Sequence, residues 1–397
     1  SYTVPVSKVG DSRSKSMSDD DFRGIAISSV ISKLFEHCVA DRFMSYFVTS
    51  DNQYGFKAGL GCTHAINTVC QIVNRFVSGG STVNLCSIDL SKAFDRTNHH
   101  ALFIKLMKRR VPNCLLTVLE NWYQNCWTCV KWNGVFSFFF KIEFGVRQGS
   151  VLSPLLFAVY LDDIHKYFPA GTDYFIVLYA DDILLLSPSV SELQRLLAVC
   201  ETELAWLDMT INERKSACLR IGPRHDIKCA CIITRTGHRL PWVDEIRYLG
   251  IYLVRSFRFK CSLQHAKRAF YRAANGILGK VGRTASEEVI LQLLNSKCMP
   301  ILLYGFEACH ITKSELSSLD FVVNRFFMKL FKTSNSNVVR ECQEFFSFVI
   351  PSVLVPKRSV KLKASISEGF NYMSKFVNLC LVAKLVLSRL VTLGRCL

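Results

Sequence analysis

The sequence is poor in acidic residues: 32 Asp and Glu stand against 49 Lys and Arg, which gives a net charge of +17. So large a positive excess indicates a polyanionic partner, and nucleic acid, bound through its phosphates, is the first candidate. The alternative is a basic soluble surface without such a partner. With 397 residues and 50% hydrophobic content, the chain has room for two or three domains and a large core, and it shows no internal repeat.

The sequence also lacks a signal peptide and an uninterrupted apolar run long enough to span a membrane. Its most apolar late stretch, residues 376–393, contains Lys384 and Arg389 and therefore predicts an amphipathic helix. The 17 cysteines include one Cys-x-x-Cys, Cys126 to Cys129, with no second pair at zinc-ribbon spacing. We therefore expect reduced thiols, a nuclear or cytoplasmic protein that is not secreted, and no membrane partner. The missing initiator Met suggests a fragment.

One stretch places two adjacent carboxylates between two apolar runs. Asp181 and Asp182 follow residues 175–178 and precede residues 183–186, and both runs have strand length, which predicts a hairpin with the acids at its tip. Adjacent like charges at the end of an apolar hairpin are costly unless a cation neutralises them, and Mg²⁺ prefers carboxylate ligands. The alternative is an ordinary exposed turn, since Asp is common in turns.

A third acid, Asp89, comes directly after the predicted strand 83–88, and the end of a buried strand is a common place for a functional site. The alternative is a helix N-cap formed by Asp89 or Ser91. Transfer of a nucleotide to a 3′-hydroxyl uses two cations about 3.5–4 Å apart, which need bridging carboxylates from neighbouring strands. Asp89 and Asp181, with Asp182 beside them, are placed for that role.

Another acidic pair, Asp162-Asp163, has a different setting. It follows a helical pattern that opens near Ser153-Pro154, and no apolar strand comes after it. We expect these two acids to be solvated at the end of that helix, which leaves the pair at 181–182 as the preferred metal ligands.

Helices are predicted where apolar residues recur at helical spacing. A first helix after Ser28-Ser29 has a predicted apolar face of Ile31, Leu34, Phe35, Cys38, Val39 and Phe43, with Lys33, Glu36 and Arg42 off that face. Further helices are predicted at residues 63–77, 98–110, 113–125 and 191–207, and the chain is helical and basic after about residue 260. Pro351 and Pro356 mark a break before a final helical segment.

Turn residues add two features. Asn133-Gly134 predicts a tight hairpin between residues 129–132 and 135–140. Residues 247–253 predict one strand in which Gly250 permits the close approach of another backbone.

Three motifs resemble motifs A, B and C of reverse transcriptases in order and spacing: Ile88-Asp89-Leu90-Ser91-Lys92-Ala93-Phe94-Asp95, Gly145-Val146-Arg147-Gln148-Gly149-Ser150-Val151-Leu152-Ser153-Pro154 and Tyr179-Ala180-Asp181-Asp182. The resemblance is strongest to the non-LTR (LINE-like) retrotransposon class. Two further segments resemble the finger motifs of that class. The first is Arg23-Gly24-Ile25 together with Lys33, Glu36 and Arg42, and the second is Gln53-Tyr54-Gly55-Phe56-Lys57. Asn212 to Lys215 resembles motif D, and Tyr248-Leu249-Gly250-Ile251 resembles the primer-grip motif. The match covers residues 20–255 well and the tail loosely.

The resemblance implies an α+β right-hand polymerase. Fingers would cover residues 1–85, the palm 86–254 with finger segments at about 98–150, and a helical thumb with a C-terminal extension 255–397. The implied activity is that of an RNA-directed DNA polymerase, which joins a dNTP to the 3′-hydroxyl of a DNA primer on an RNA template. The implied cofactor is a pair of Mg²⁺ ions, for which Mn²⁺ can substitute.

The resemblance also implies roles for individual residues. Asp89, Asp181 and the weaker ligand Asp182 would be catalytic and hold the metal ions, with the Leu90 carbonyl as an extra ligand. The incoming nucleotide would contact Lys57, Phe94, Gln148, Gly149 and Lys215. Primer and template would contact Arg23, Tyr248 and Gly250.

Four of these residues carry specific expectations. Phe94 would exclude a 2′-hydroxyl, with plain core packing as the alternative. Gly149 would leave room for the nucleotide, because a Cβ would block its approach. Lys57 stands where the family usually has Arg, so it keeps the charge for the triphosphate but loses bidentate geometry. Lys215 would be the general acid for the leaving pyrophosphate, with an ordinary surface Lys as the alternative.

The sequence departs from a complete element in two ways: no endonuclease domain precedes the fingers, and Cys342, Cys380 and Cys396 lack the spacing of a zinc knuckle. We therefore expect a polymerase core from a longer or decayed element. The alternatives are a group II intron maturase-like polymerase and a non-catalytic, nucleic-acid-binding remnant.

Overall fold

The computed structural model describes residues 1–8, 17–18, 21–168, 171–282 and 284–369. Helices and strands are mixed throughout, so the α+β prediction is confirmed. The predicted amphipathic helix at 376–393 lies outside the described residues, as do Cys380 and Cys396. Among the helices that the structure describes, none combines the length and apolar composition that crossing a bilayer requires.

The N-terminal part consists of a two-stranded ribbon and two helices. Its elements are β1 (Tyr2–Ser7), β2 (Phe22–Ile27), α1 (Val30–Phe43) and α2 (Cys62–Ser78). β1 and β2 pair antiparallel, from Tyr2 opposite Ile27 to Ser7 opposite Phe22. The second helix matches its prediction, and its apolar stripe, which includes Ile66 and Val69, is fully buried.

The orientation of α1 differs from the prediction. Its N-cap is Ser29, whose hydroxyl accepts a hydrogen bond from the N–H of Ser32. However, Ile31 and Leu34 of the predicted buried face are 80% and 63% exposed, whereas Glu36 is 1% exposed. The helix is turned in this way because the Glu36 carboxylate accepts hydrogen bonds from the loop at residues 150–152.

The middle of the chain supplies most of the central sheet. Its elements are β3 (Val83–Ile88), α3 (His99–Lys108), α4 (Asn113–Gln124), β4 (Trp127–Thr128), β5 (Lys131–Trp132), β6 (Val135–Phe136), β7 (Phe140–Lys141), α5 (Leu152–Asp162), β8 (Phe175–Tyr179) and β9 (Asp182–Ser187). The hairpin at Asn133-Gly134 is present, with φ of 47° and 83° at the two turn residues. Both residues are therefore in the left-handed region that a tight hairpin turn requires.

The last part is mainly helical. Its elements are α6 (Val190–Trp206), β10 (Ala217–Ile221), β11 (Ile232–Ile233), β12 (Arg239–Leu240), β13 (Glu245–Tyr248), β14 (Ile251–Val254), α7 (Leu263–Val281), α8 (Glu287–Leu293), α9 (Met299–Leu303), α10 (Lys313–Leu330), α11 (Ser336–Phe345) and α12 (Pro351–Gly369). Pro351 begins α12, and Pro356 lies inside it. The predicted break in helical structure is therefore found before Pro351, whereas the helix continues through Pro356.

The predicted strand 247–253 is a hairpin. Tyr248 pairs with Ile251, and Leu249 and Gly250 turn the chain with φ of 44° and 87°. The close approach predicted at Gly250 is present: a Cβ there would lie 2.7 Å from the ring of Tyr304. The approaching group is thus a side chain and not a backbone.

The central sheet has the strand order β10-β3-β9-β8 and is antiparallel throughout. Side chains alternate across it, so Leu184 and Leu186 face the cluster that includes α2 and α7–α10, while Ile183 and Leu185 face α5 and α6. Burial on both faces explains the continuous apolar runs, and it fixes the hairpin β8–β9 with its tip at one end of the sheet.

The Asp162-Asp163 pair was wrongly predicted to be solvated. Asp162 is 3% exposed and accepts hydrogen bonds from Arg109, at 2.5 Å, and from the N–H of Ser50, at 2.8 Å. Asp163 lies 2.8 Å from the ammonium of Lys166 and 3.1 Å from that of Lys105. Burial alone would raise the pKa of Asp163, but the two lysines together outweigh that effect and lower it. These acids have protein cations as partners, which distinguishes them from the pair at the hairpin tip.

Candidate active site

The three candidate acids lie at neighbouring strand ends. Antiparallel pairing sets Ile88 opposite Ile183, so the next residue, Asp89, is level with the tip that carries Asp181 and Asp182. The backbone of Asp89 is held on both sides, because its N–H donates to Ser216 Oγ at 3.1 Å and its carbonyl accepts from Asn212 at 2.8 Å. The predicted convergence of distant acids therefore follows from the strand register.

A cleft of about 860 Å³ opens at this end of the sheet. The predicted site residues that line it are Arg23, Asp89, Leu90, Phe94, Gln148, Asp181 and Lys215. Asp182 lies behind this surface as the first residue of β9. The structure thus brings residues from five separate parts of the sequence together around one opening.

The acids of the hairpin tip lack full neutralisation by protein cations. Burial raises the pKa of Asp181, and the nearby Asp89 carboxylate raises it further. A backbone hydrogen bond of Asp181, with Arg23 and Lys215, acts in the opposite direction but does not cancel the increase. Burial, with Asp181 and Asp89, raises the pKa of Asp182 to about 6. Lys215 places its ammonium 3.8 Å from Asp89 Oδ2, but its side chain is 70% exposed. A bound cation would stabilise this arrangement.

The donor set suits magnesium. In the part of the chain that the structure describes, no three or more His, Cys, Asp or Glu side chains are arranged to hold a metal ion by themselves. Mg²⁺, however, is usually bound by one or two carboxylates together with waters and substrate phosphates, so it does not need such a group. The partly buried carboxylates of Asp89 and Asp181, which lie close enough to repel each other, match that requirement.

Phe94 has a defined position at the floor of the cleft. Its ring stacks on Phe157 with centroids 4.3 Å apart and an interplanar angle of 14°, and it meets Phe56 edge-on at 6.1 Å. Since the ring also lines the cleft, core packing and contact with a ligand are compatible at this position.

The loop of Gln148 and Gly149 is pinned to β2. The N–H of Ala26 donates to the Gln148 carbonyl at 2.7 Å. Gly149 has φ of 123°, and a Cβ there would lie 2.4 Å from the Ala26 carbonyl oxygen. In this structure, glycine is required at position 149 because the Ala26 carbonyl lies so close. The resemblance had implied that glycine leaves room there for the nucleotide.

Besides Asp182 and Gly149, three predicted residues lie outside the cleft lining. Lys57 donates a hydrogen bond to the carbonyl of Ser50, and burial lowers its pKa. Tyr248 is 2% exposed, so its ring is covered by protein. Gly250 lines a separate groove of about 760 Å³ that also includes Arg268 and Arg272. The first two side chains would have to move to contact a nucleotide or primer, and their roles stay predictions.

Sequence reasoning assigned no role to two buried polar residues that support the site, Gln53 and Glu36. Gln53 is fully buried, and its Oε1 accepts hydrogen bonds from the N–H groups of Gly55 and Ala180. Both residues lie within segments that resemble finger motifs. The sequence signal that could have identified these two supporting residues is a polar residue inside an otherwise apolar or glycine-rich motif.

Comparison with known proteins identifies the family of this chain. The family model described as "Reverse transcriptase (RNA-dependent DNA polymerase)" matches residues 13–253. The chain is 27% identical over 330 residues to a probable RNA-directed DNA polymerase from transposon BS of Drosophila melanogaster, covering 78% of this chain and 36% of that protein. It is also 27% identical over 281 residues to the RNA-directed DNA polymerase from mobile element jockey of Drosophila funebris, covering 65% and 30% respectively.

Among solved structures, telomerase from Candida albicans aligns over 80% of this chain and 56% of its own, with a TM-score of 0.43 and 12% identity. The chain spans about a third of the length of the two curated relatives. The family model matches more than half of the 397 residues, and the two curated relatives are polymerases of a transposon and a mobile element. The chain therefore belongs to the reverse transcriptase family and is a reverse transcriptase domain of the non-LTR, LINE-like class.

Proposed function

We propose that this chain is an RNA-directed DNA polymerase that joins dNTPs to the 3′-hydroxyl of a DNA primer on an RNA template. The observation that carries the proposal is the meeting of Asp89 and Asp181 in one cleft, as carboxylates that protein cations do not fully neutralise. Family membership supports the reaction class. The net charge of +17 supports polyanionic substrates.

Asp89 and Asp181, with Asp182 as a weaker third, would hold two Mg²⁺ ions. When bound, these ions activate the attacking hydroxyl and stabilise the charge of the transferred phosphate. Backbone hydrogen bonds hold Asp89, and the paired strands β8 and β9 hold the turn that carries Asp181. Both acids are therefore fixed before substrate arrives, and little reorganisation is needed. Burial and the nearby Asp89 carboxylate raise the pKa of Asp181, so its ionised form is costly in the empty site. A bound cation would remove that cost, and a proton competes with the cation for the same carboxylate.

Other cleft residues would orient the substrate. Both Arg23 and Phe94 line the cleft. Arg23 would contact phosphates of the primer or template, and Phe94 would lie under the sugar of the incoming nucleotide. Gln148 would contact the templating base or the nucleotide. Lys215, within 3.8 Å of Asp89, would deliver a proton to the leaving pyrophosphate.

The compartment is part of the proposal. Every cysteine among the described residues is a free thiol. Free thiols support a reducing compartment, either the nucleus or the cytoplasm.

The test is primer extension on a primed RNA template with Mg²⁺ or Mn²⁺. Asp181→Asn should lower extension by at least about a hundredfold, because it removes a ligand that acts on the reacting charges. Asp173→Asn, which removes an equal charge from an exposed position, is the matched control. Unchanged extension by Asp181→Asn would refute the catalytic assignment. Wild-type protein that binds RNA but never extends a primer would be a binding remnant.

A further inference from the structure

Residues 127–144 form a surface-exposed, aromatic segment, which we call the aromatic ribbon. It contains the paired strands β4–β7 and β5–β6. Eight of its large hydrophobic side chains are exposed, of which one is a valine and seven are aromatic (two Trp and five Phe). Phe138 is 96% exposed and Phe139 66% exposed. Exposed apolar clusters of this density mark interaction surfaces.

The composition of the ribbon indicates the chemistry of its partner. Its charged residues are Lys131, Lys141 and a single acid, Glu143. The ammonium of Lys131 lies 5.1 Å from the ring centroid of Phe136 and 5.3 Å from that of Tyr2. Aromatic faces interleaved with cations are the pattern that binds single-stranded nucleic acid, in which bases stack on rings and phosphates meet the cations. A patch for an apolar protein surface would have no need of these lysines.

The ribbon has a fixed position beside the cleft. Thr3 of β1 donates its N–H to the Cys129 carbonyl at 2.7 Å, which attaches the ribbon to the N-terminal strands. Phe22 of β2 lines the cleft, and its ring meets Trp132 of the ribbon edge-on at 5.5 Å. Aromatic surface therefore continues from the cleft onto the ribbon.

From this continuity, composition and charge we propose that the aromatic ribbon binds single-stranded nucleic acid and holds the unpaired part of the template next to the cleft. The identification of that strand as template rests on the proposed function. Binding of a free single strand does not require polymerisation, so the two proposals can fail separately.

The experiment compares two fluorescent probes of about 12 nucleotides, within the usual site sizes for such surfaces. One is oligouridine RNA, and the other is a strand of the same length and charge with abasic residues. The wild-type chain should bind the RNA at least about tenfold more tightly than the abasic strand, because only the RNA has bases that can stack on the exposed rings. The double variant Phe138→Ser with Phe139→Ser should lose that preference while keeping the binding of the abasic strand.

Two further variants serve as controls. Ile31→Ser with Leu34→Ser removes exposed apolar surface from α1 and should leave the preference for bases intact. Lys131→Gln with Lys141→Gln should lower the slope of log affinity against log salt by about 1.4, because each phosphate contact on a single strand contributes about 0.7. In the Phe138→Ser, Phe139→Ser double variant, serine replaces two exposed side chains. An unchanged thermal unfolding curve of this variant would show that the fold is kept.

A preference for bases that survives in the Phe138/Phe139 double variant would overturn the proposal. So would a change in oligomeric state on size-exclusion chromatography with unchanged RNA affinity, because the ribbon would then be a protein-contact surface. The wild type could show no primer extension and still prefer bases, with the double variant lacking that preference. In that case the proposed polymerase function fails and the ribbon assignment stands. If extension is normal and the double variant binds as the wild type does, the polymerase function stands and the ribbon assignment fails.

Discussion

Gln53 Oε1 accepts the backbone N–H of Ala180 at 3.1 Å, so a buried side chain from the N-terminal part holds the turn that carries the candidate acids. Backbone hydrogen bonds reinforce the contact, since Leu178 bonds to Asn52 and Tyr54, each at 2.8 Å. At Gly55, a Cβ would lie 2.4 Å from the N–H nitrogen of Ala180. The turn is therefore fixed from outside the hairpin as well as by its own strands.

The first prediction concerns this contact. Gln53→Met keeps the side-chain length but removes the acceptor, so the Ala180 N–H is left buried and unpaired and the turn can shift. We expect kcat for primer extension to fall about tenfold to a hundredfold, with a smaller change in the KM for dNTP, because displaced acids bind metal poorly. The concentration of Mg²⁺ that gives half-maximal activity should rise.

Gln53→Glu retains Oε1 and should recover part of the activity lost in Gln53→Met. A purely structural role would lower the fraction of active enzyme in an active-site titration and leave the Mg²⁺ requirement unchanged. That pattern would remove Gln53 from its positioning role.

The second prediction concerns pH. The folded pKa of Asp182 is about 6, above the value of about 3.9 in an unfolded chain. The folded state therefore binds the extra proton between these values, and stability falls as the pH rises from about 4 to about 6. In metal-free buffer at pH 7, Asp182→Asn should be more stable than wild type by up to about 3 kcal/mol.

Urea denaturation at pH 4 and pH 7 measures this effect. The advantage of Asp182→Asn should vanish at pH 4, and the exposed control Asp173→Asn should show no advantage at either pH. A stability difference that is the same at both pH values would mean that repulsion at the hairpin tip is not its cause.

The local elements of the site could be predicted from sequence because each is encoded in a contiguous stretch. Two apolar runs around Asp181 and Asp182 specify the hairpin, and the run before Asp89 specifies the adjoining strand. Antiparallel register then brings the acids together without further information. The fold class could be predicted for the same reason.

Sequence patterns did not predict the orientation of α1, the burial of Asp162 or the support from Gln53. Each depends on a partner more than 50 residues away along the chain: Ser150 for Glu36, Arg109 for Asp162 and Ala180 for Gln53. Helical periodicity identifies an apolar face, but a buried carboxylate that satisfies several N–H groups can outweigh it. Tertiary hydrogen bonding decided these positions.

The third prediction concerns the buried carboxylate of Glu36. Its Oε2 accepts hydrogen bonds from the N–H groups of Val151 and Leu152, at 2.5 Å and 3.1 Å, beside the start of α5. Glu36→Gln removes the charge at this helix N-terminus and should cost about 2–3 kcal/mol of unfolding free energy. Glu120→Gln, an exposed change on α4, should cost less than about 0.5 kcal/mol in the same urea titration. Equal effects of the two changes would contradict a role for Glu36 in anchoring the loop.

The fourth prediction separates steric exclusion from backbone strain. Gly149 and Gly59 both have positive φ, at 123° and 77°, but a Cβ meets the Ala26 carbonyl only at Gly149 and meets nothing within 4 Å at Gly59. Gly59→Ala should cost about 1–2 kcal/mol from strain. Gly149→Ala should cost at least about 1–3 kcal/mol more, because β2 must move away from the loop. Chemical denaturation measures the unfolding free energy of both variants. Similar losses of stability would show that β2 moves away from the loop at little cost.

The last prediction concerns the choice of sugar by Phe94. The ring is fixed by its stack on Phe157, so it can act as a rigid wall at the cleft floor. Phe94→Val shortens that wall and should admit a 2′-hydroxyl, lowering the ratio of kcat/KM for dNTP over NTP about tenfold to a hundredfold. Phe94→Tyr keeps the ring and should preserve the ratio, which separates loss of the wall from general disturbance of the site. If Phe94→Val incorporates ribonucleotides no better than wild type while still extending with dNTPs, the ring serves packing alone, and sugar selection must lie with another residue of the cleft.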